Sequence, residues 1–204
     1  MSSSDVFINC PFDADFTAGF RALVFGVIAC GFRVRCALEV DDAAETRIEK
    51  LYRIIEQSRF GIHDISRTEL DNESGLPRFN MPLELGIFMG AKRFGQKSQK
   101  QKRCMVLDSE RYRYQTFISD LAGVDIKAHH GIAREMVGCV RAFLATSSKR
   151  KSVPTASAVL SSYDRFMHGL PEIARAADLD HEDLLFPDYA QLVVGWVRHD
   201  HGRA

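Results

Sequence analysis

The sequence predicts an α/β protein built on a parallel, doubly wound sheet, and three features carry that expectation. Short apolar runs recur at residues 6–10, 32–36, 60–65 and 104–107. Amphipathic segments of helical length stand between them. Strand and helix signals alternate five times, which calls for strands joined by crossover helices rather than by hairpins.

The first run, 6–10, ends at Pro11 and reads as a buried strand. Asp13 or Asp15 can cap the next segment. There Phe16, Phe20, Leu23, Val24, Val27 and Ile28 recur at helical spacing, and Gly31 ends that helix. Residues 32–36 alternate apolar and polar, as a half-exposed strand does. Ile48, Leu51, Tyr52 and Ile55 mark an amphipathic helix. The third strand, 60–65, is interrupted by His63 and Asp64. Residues 66–79 are polar, contain Asn72, Gly75 and Pro77, and form a loop. Pro82 suits the first turn of a helix running towards Phe94, in which Gly86 and Gly90 allow close packing on a neighbour.

Residues 96–103 read as a solvated basic connection, and 104–107 as the fourth strand. A helix is predicted over 112–121, a short fifth strand over 124–126, and a closing helix over 132–144. Residues 146–155 are rich in Ser, Lys and Arg and form a linker, with helical patterns beyond it at 159–170 and 189–197. The predicted organisation is a five-stranded parallel, flavodoxin-like domain over 1–145. A linker with a small helical C-terminal extension fills 146–204.

Lys plus Arg equals Asp plus Glu at 27 each, so the formal net charge is zero. A chain devoted to nucleic-acid backbones needs a basic excess, so no nucleic-acid polymer is expected as partner. The five cysteines are odd in number and lack C-x-x-C spacing, and four stand in apolar runs. They read as buried, reduced thiols of a cytoplasmic protein. No metal site is expected without clustered Cys or His. No apolar stretch approaches membrane-spanning length, and the first residues lack the pattern of a secretory signal. There is no G-x-S-x-G, no P-loop and no G-x-G-x-x-G after the first strand.

Ligands of such sheets bind outside the carboxyl ends of the strands, and four segments map there. In Phe7-Ile-Asn-Cys-Pro-Phe-Asp13, the turn at Pro11 leaves the Phe12 ring at the sheet edge, either to stack on a base or to pack in the core. Asn9 and Asp13 can bond a sugar or base, and Asp13 can equally cap a helix. In Ile62-His-Asp-Ile-Ser66, Asp64 is costly to bury without partners, so it touches a ligand hydroxyl or a loop amide. Ser66 joins it in the candidate binding set, and His63 faces the other side as a structural residue.

In Asn80-Met-Pro-Leu-Glu-Leu-Gly86, Glu84 falls in the first helical turn, where the macrodipole favours a carboxylate. That suits a nucleophile, or a stabiliser of a cationic sugar, better than a general acid. The competing reading makes Met81 the N-cap and Glu84 the closing residue of a capping box. Asn80 can take a sugar contact. The fourth segment, 119–125, reads as structural, with Gly123 ending a helix. His129 and His130 read as a surface pair.

Together these segments resemble the nucleoside 2-deoxyribosyltransferases. Residues 7–13 resemble that family's first strand and Pro-Phe turn, and Asp64 its acidic position after the third strand. Leu83-Glu-Leu-Gly86 with Met89-Gly-Ala91 beyond it looks like its Glu-Leu-Gly helix, whose glutamate attacks the anomeric carbon. The wider superfamily includes nucleotide N-hydrolases and TIR domains that cleave NAD. Ser119-Asp-Leu-Ala-Gly123 is similar to bacterial TIR-like and deoxyribosyltransferase-like proteins, some of them antiviral defence effectors.

The resemblance implies N-glycosidic cleavage or base exchange on a nucleoside, nucleotide or NAD. Glu84 would be the nucleophile, and Asn9, Pro11, Phe12, Asp13, Asp64, Ser66 and Asn80 would hold the substrate. It implies no cofactor, NAD entering only as substrate. It also implies a homo-oligomer and a regulatory protein partner. A non-catalytic nucleotide sensor or a TIR-like oligomerisation module is the alternative. The family's Asp-x-Gly-Thr is replaced here by Arg78-Phe-Asn-Met-Pro82, and the C-terminal tail has no counterpart in the small transferases.

Overall fold

The computed structural model describes residues 1–40, 42–70, 75–150 and 152–201. Asn72, in the predicted loop, lies outside them. Five parallel strands form one sheet in the order β2-β1-β3-β4-β5. They are β1 (Ser2–Asn9), β2 (Arg33–Arg35), β3 (Ser58–Asp64), β4 (Arg103–Asp108) and β5 (Lys127–Ala128). Helices α1 (Thr17–Ala29), α2 (Arg47–Gln57), α3 (Asn80–Phe94) and α4 (Ala133–Ser147) complete the α/β layer. Helices α5 (Ala156–Ala176) and α6 (Phe186–His201) form the extension. The strand order reverses at β1, so the crevice of this topology lies at the carboxyl ends of β1 and β3.

Both faces of the sheet are covered, which is why β1 and β3 are nearly unbroken buried runs. Phe7, Leu51, Ile54, Ile55 and Phe88 form the core under α2 and α3. Val6, Ile8, Phe60, Ile62 and Leu107 face α1 and α4. That second cluster continues without a break into the extension through Val159, Tyr163, Phe166, Leu170, Tyr189 and Val193. Phe25 of α1 meets Tyr163 and Phe166 at centroid distances of 5.2 and 5.3 Å. The Tyr189 hydroxyl donates to the Arg21 carbonyl at 3.1 Å.

Several boundaries differ from those predicted, each for a local reason. β1 starts at Ser2 because Asp5, although charged, is buried beneath Arg33 and Arg35. In place of a helix over 112–121 there are two 3-10 turns, Arg113–Thr116 and Ser119–Leu121, preceded by Tyr112 at φ 63°. The fifth strand falls at Lys127–Ala128 rather than 124–126, and Gly123 turns the chain at φ +91°. Within the connection read as solvated, Lys102 is fully buried and donates from Nζ to the Ile55 and Ser58 carbonyls, closing the end of α2.

His129 is buried and only His130 is exposed, so the pair divides between interior and surface. Gly86 and Gly90 do not serve close packing in this chain. A Cβ at either would meet nothing within 4 Å. All five cysteines are reduced, with Cys10, Cys30 and Cys36 buried and Cys104 and Cys139 partly so. No helix among the described residues is long and apolar enough to cross a membrane.

Phe166, fully buried, joins α1 to both helices of the extension. Phe166→Ala should lower the unfolding free energy by about 3–5 kcal/mol, read by urea denaturation. A loss below about 1 kcal/mol would mean that the extension only leans on the domain.

Candidate active site

A cleft of about 410 Å³ opens at the carboxyl end of β1, between the loop after that strand and the start of α3. Asn9, Pro11, Phe12 and Asp13 line one side, and Asn80, Met81 and Glu84 the other. Arg47 from the start of α2, Arg67 from the loop after β3, and Arg78 just before α3 also reach it. Of the eight residues expected at a site, six meet here: Asn9, Pro11, Phe12, Asp13, Asn80 and Glu84.

Asp64 and Ser66 are not among the lining residues. The Asp64 carboxylate is fully buried and accepts from the Ser66 amide at 2.9 Å and its hydroxyl at 2.5 Å. On its other side, His129 Nε2 stands 3.1 Å from Asp64 Oδ2 but is not aligned for a hydrogen bond. The Gly131 amide donates to His129 Nδ1 at 3.0 Å, which leaves Nε2 to carry the proton that faces the carboxylate. Oδ1 is thus satisfied by loop anchoring, one of the two readings open for Asp64, whereas Oδ2 is buried without a hydrogen-bond partner. Arg113 adds to the anchor by bonding Asp108, the Ser66 carbonyl and Thr68 Oγ1. The loop after β3, which carries Arg67 into the cleft, is thereby tied to β4.

Asn9 is almost fully buried, yet it lines the cleft. Its Nδ2 donates to the Met81 carbonyl at 2.9 Å and to His63 Nδ1 at 3.0 Å. Both amide protons are therefore used, and the side-chain oxygen is left as the acceptor. His63 must be neutral to accept from Asn9. Burial, aided by the nearby Lys102 charge, pushes its pKa down to about 3. Edge contacts with Phe7 and Phe88 complete its surroundings.

Glu84 is not in the first turn of α3. The helix begins at Asn80, with Phe79 as N-cap and no side-chain cap, so Glu84 is the fifth residue and Pro82 the third. This geometry rules out the capping box. Among the described residues its carboxylate makes no hydrogen bond, and its closest charged partner is Arg47 Nη2 at 3.8 Å. The macrodipole fades within the first turn, whereas the Glu84 side chain is only 6% exposed. Burial therefore dominates and pushes the carboxyl up to about 7, against the opposing pull of Arg47.

Phe12 is half-buried and meets Phe20 edge-on at 5.2 Å. Asp13 both lines the cleft and caps the adjoining turn, its Oδ1 accepting from the Phe16 amide at 3.1 Å. Its two readings are therefore compatible. Arg67 is shared among Asp13, Asp15 and Glu69, at 3.4, 3.5 and 3.2 Å. The three arginines were not among the expected site residues. Only Arg47 had a usable signal: it stands directly after the N-cap Thr46, and such a helix start faces the ligand edge of the sheet. No group of three His, Cys, Asp or Glu suited to a metal ion occurs among the described residues.

No model of a known protein family matches this chain, and a search among curated proteins finds no match.

The raised pKa of Glu84 has a consequence for folding. A folded value of about 7 against an ordinary 4.5 means that the folded state holds the proton more tightly. Stability is unaffected below about pH 4.5, declines as pH rises towards 7, and stays reduced above it. Glu84→Gln should therefore gain on wild type between pH 5 and pH 8, reaching an advantage on the order of 3 kcal/mol. Thermal midpoints of the two proteins across that range check this. A constant difference would mean that the carboxyl is not held in an apolar setting.

Proposed function

We propose that this protein cleaves or exchanges the N-glycosidic bond of a nucleoside, nucleotide or NAD, with Glu84 as the nucleophile. The observation that carries the reading is a buried carboxylate at the cleft wall with no hydrogen bond to its own helix. Structural carboxylates in such positions are normally satisfied by backbone or side-chain donors. This one has among the described residues only a guanidinium 3.8 Å away, and burial makes its ionised form the less stable one.

Ionised Glu84 attacks the anomeric carbon while the bond to the base nitrogen breaks, and the bonding electrons leave with the base. A covalent glycosyl ester remains on Glu84; a purine or pyrimidine, leaving as the anion, gains a proton from solvent, whereas the nicotinamide of NAD leaves neutral and needs none. Water then attacks the ester to release the sugar and restore the carboxylate, or a second base attacks and completes an exchange. The burial that favours the neutral acid also favours the neutral ester, because both remove a charge from an apolar setting. The Asn9 oxygen can accept a hydrogen bond from a sugar hydroxyl. The Phe12 ring can stack on the base.

Chromatography of a mixed pool of nucleosides, nucleotides and NAD, incubated with wild type and with Glu84→Gln, tests the reading. Base release is expected from wild type only. The nucleophile works ionised, so the rate should fall as pH drops below about 7. Equal product from both proteins would refute a role for Glu84. Ligand-induced stabilisation without any released base would make the cleft a nucleotide-binding site instead.

A further inference from the structure

A second cavity of about 190 Å³ meets the Glu84 cleft at Phe12 and Asp13, which line both. Phe20 of α1 and Leu38 from the loop after β2 form part of its wall. Leu184, Leu185 and Phe186, at the entry to α6, form the rest. Its size corresponds to roughly six shares of liquid water, room for one planar ring system and no more. Aromatic rings lead into it from the cleft. Phe12 stands edge-on to Phe20, and Phe20 lies 5.9 Å from Phe186 at a tilt of 44°.

Two features mark this annexe as more than a packing defect. Large aliphatic side chains stand open at its rim, Leu38 at 42% and Leu185 at 67% exposure, although nothing in the fold requires them there. At the junction, Asp13 uses Oδ1 for the Phe16 amide and for Arg67, while Oδ2 makes no hydrogen bond among the described residues. A mostly apolar, ring-lined space, with Thr17 and Arg21 also on its wall and a carboxylate acceptor at its mouth, suits a flat aromatic group carrying N–H donors.

We propose that this annexe is the subsite for the planar ring of the substrate, a nucleobase or a nicotinamide, walled by the C-terminal extension. The inference rests on the reading of the Glu84 cleft as a glycoside site and assigns the leaving group its place. The sugar lies against Glu84 and Asn9, the ring passes Phe12, and Asp13 Oδ2 accepts from its N–H. The extension thus completes the site rather than merely covering α1.

Calorimetric titration of free adenine and free nicotinamide into the full chain tests the subsite without any need for turnover. At least one of the two should bind wild type. Leu185→Arg, at an exposed rim position, should weaken that binding at least about ten-fold. Leu38→Arg, on the opposite rim, should do the same. Leu185→Phe should retain binding, and Glu84→Gln should leave it within about two-fold. The subsite is overturned if neither base binds wild type at millimolar concentration, or if both rim arginine variants bind like wild type. Base release from intact nucleotides would in that case leave the Glu84 reading standing. Ring binding that depends on Leu185, with no base release, would remove the reaction and keep the subsite.

Discussion

Two amide protons of one asparagine hold the site together. Asn9 stands at the last position of β1, and its Nδ2 bridges His63 on β3 and the Met81 carbonyl at the start of α3. Each bond constrains a different neighbour. The bond to Met81 sets where α3 begins relative to the sheet, and so where Glu84, three residues later, enters the cleft. The bond to His63 requires a neutral ring with its proton on Nε2. Burial enforces that state by holding the ring's pKa near 3. The asparagine oxygen then has no internal duty and stands as the cleft's fixed acceptor. Buried polar contacts of this kind are strong only when every member is satisfied. Here the exception is His63 Nε2, which is buried with no hydrogen-bond partner.

The division of labour between the two neighbouring strand ends comes from the same rule. Asp64, one strand over, has donors for one of its oxygens, the amide and hydroxyl of Ser66 on Oδ1, while His129 stands beside Oδ2 without a hydrogen bond. Its charge is committed to holding loops. Among the described residues Glu84 has no such donors, and its nearest charged partner is Arg47 at 3.8 Å. Two acidic residues at one sheet edge thus acquire opposite roles through the donors around them. Arg113 extends the anchor by tying the start of the loop after β3 to Asp108.

The order of the elements was legible in the sequence because it depends on periodicity, which is a local property. The alternation of buried runs with helices holds except between β4 and β5, where two 3-10 turns replace the expected helix. Local signals failed where a partner distant in sequence decides the outcome. Pro82 marked a helix start two residues late, since Pro is tolerated throughout the first turn. Lys102 and His129 read as surface residues, and both are buried against groups far away in the sequence. The Ile55 and Ser58 carbonyls take Lys102, and His129 lies 3.1 Å from the Asp64 carboxylate of β3. Six of the expected site residues converge because they occupy two contiguous segments, 9–13 and 80–84. Arg47 and Arg67 come from separate segments, and no spacing rule links them to these two; Arg78 adjoins the second segment, but its residue type alone carries no site signal.

Glu84 is a burden on the fold, and its persistence must be matched by stabilisation elsewhere. A carboxyl whose neutral form is favoured near pH 7 opposes folding whenever it is ionised. A small α/β layer has little stability in reserve, since native domains are only marginally stable. The extension supplies a second source. Through Val159, Tyr163, Phe166, Leu170, Tyr189 and Val193 it enlarges the cluster that already contains α1 and the sheet. Because α1 comes directly after the loop that carries Phe12 and Asp13, fixing α1 also fixes one wall of the cleft. A tail that read as an appendage is therefore continuous in packing with the carboxylate's surroundings, and the cost of one poorly solvated charge is spread over the whole core.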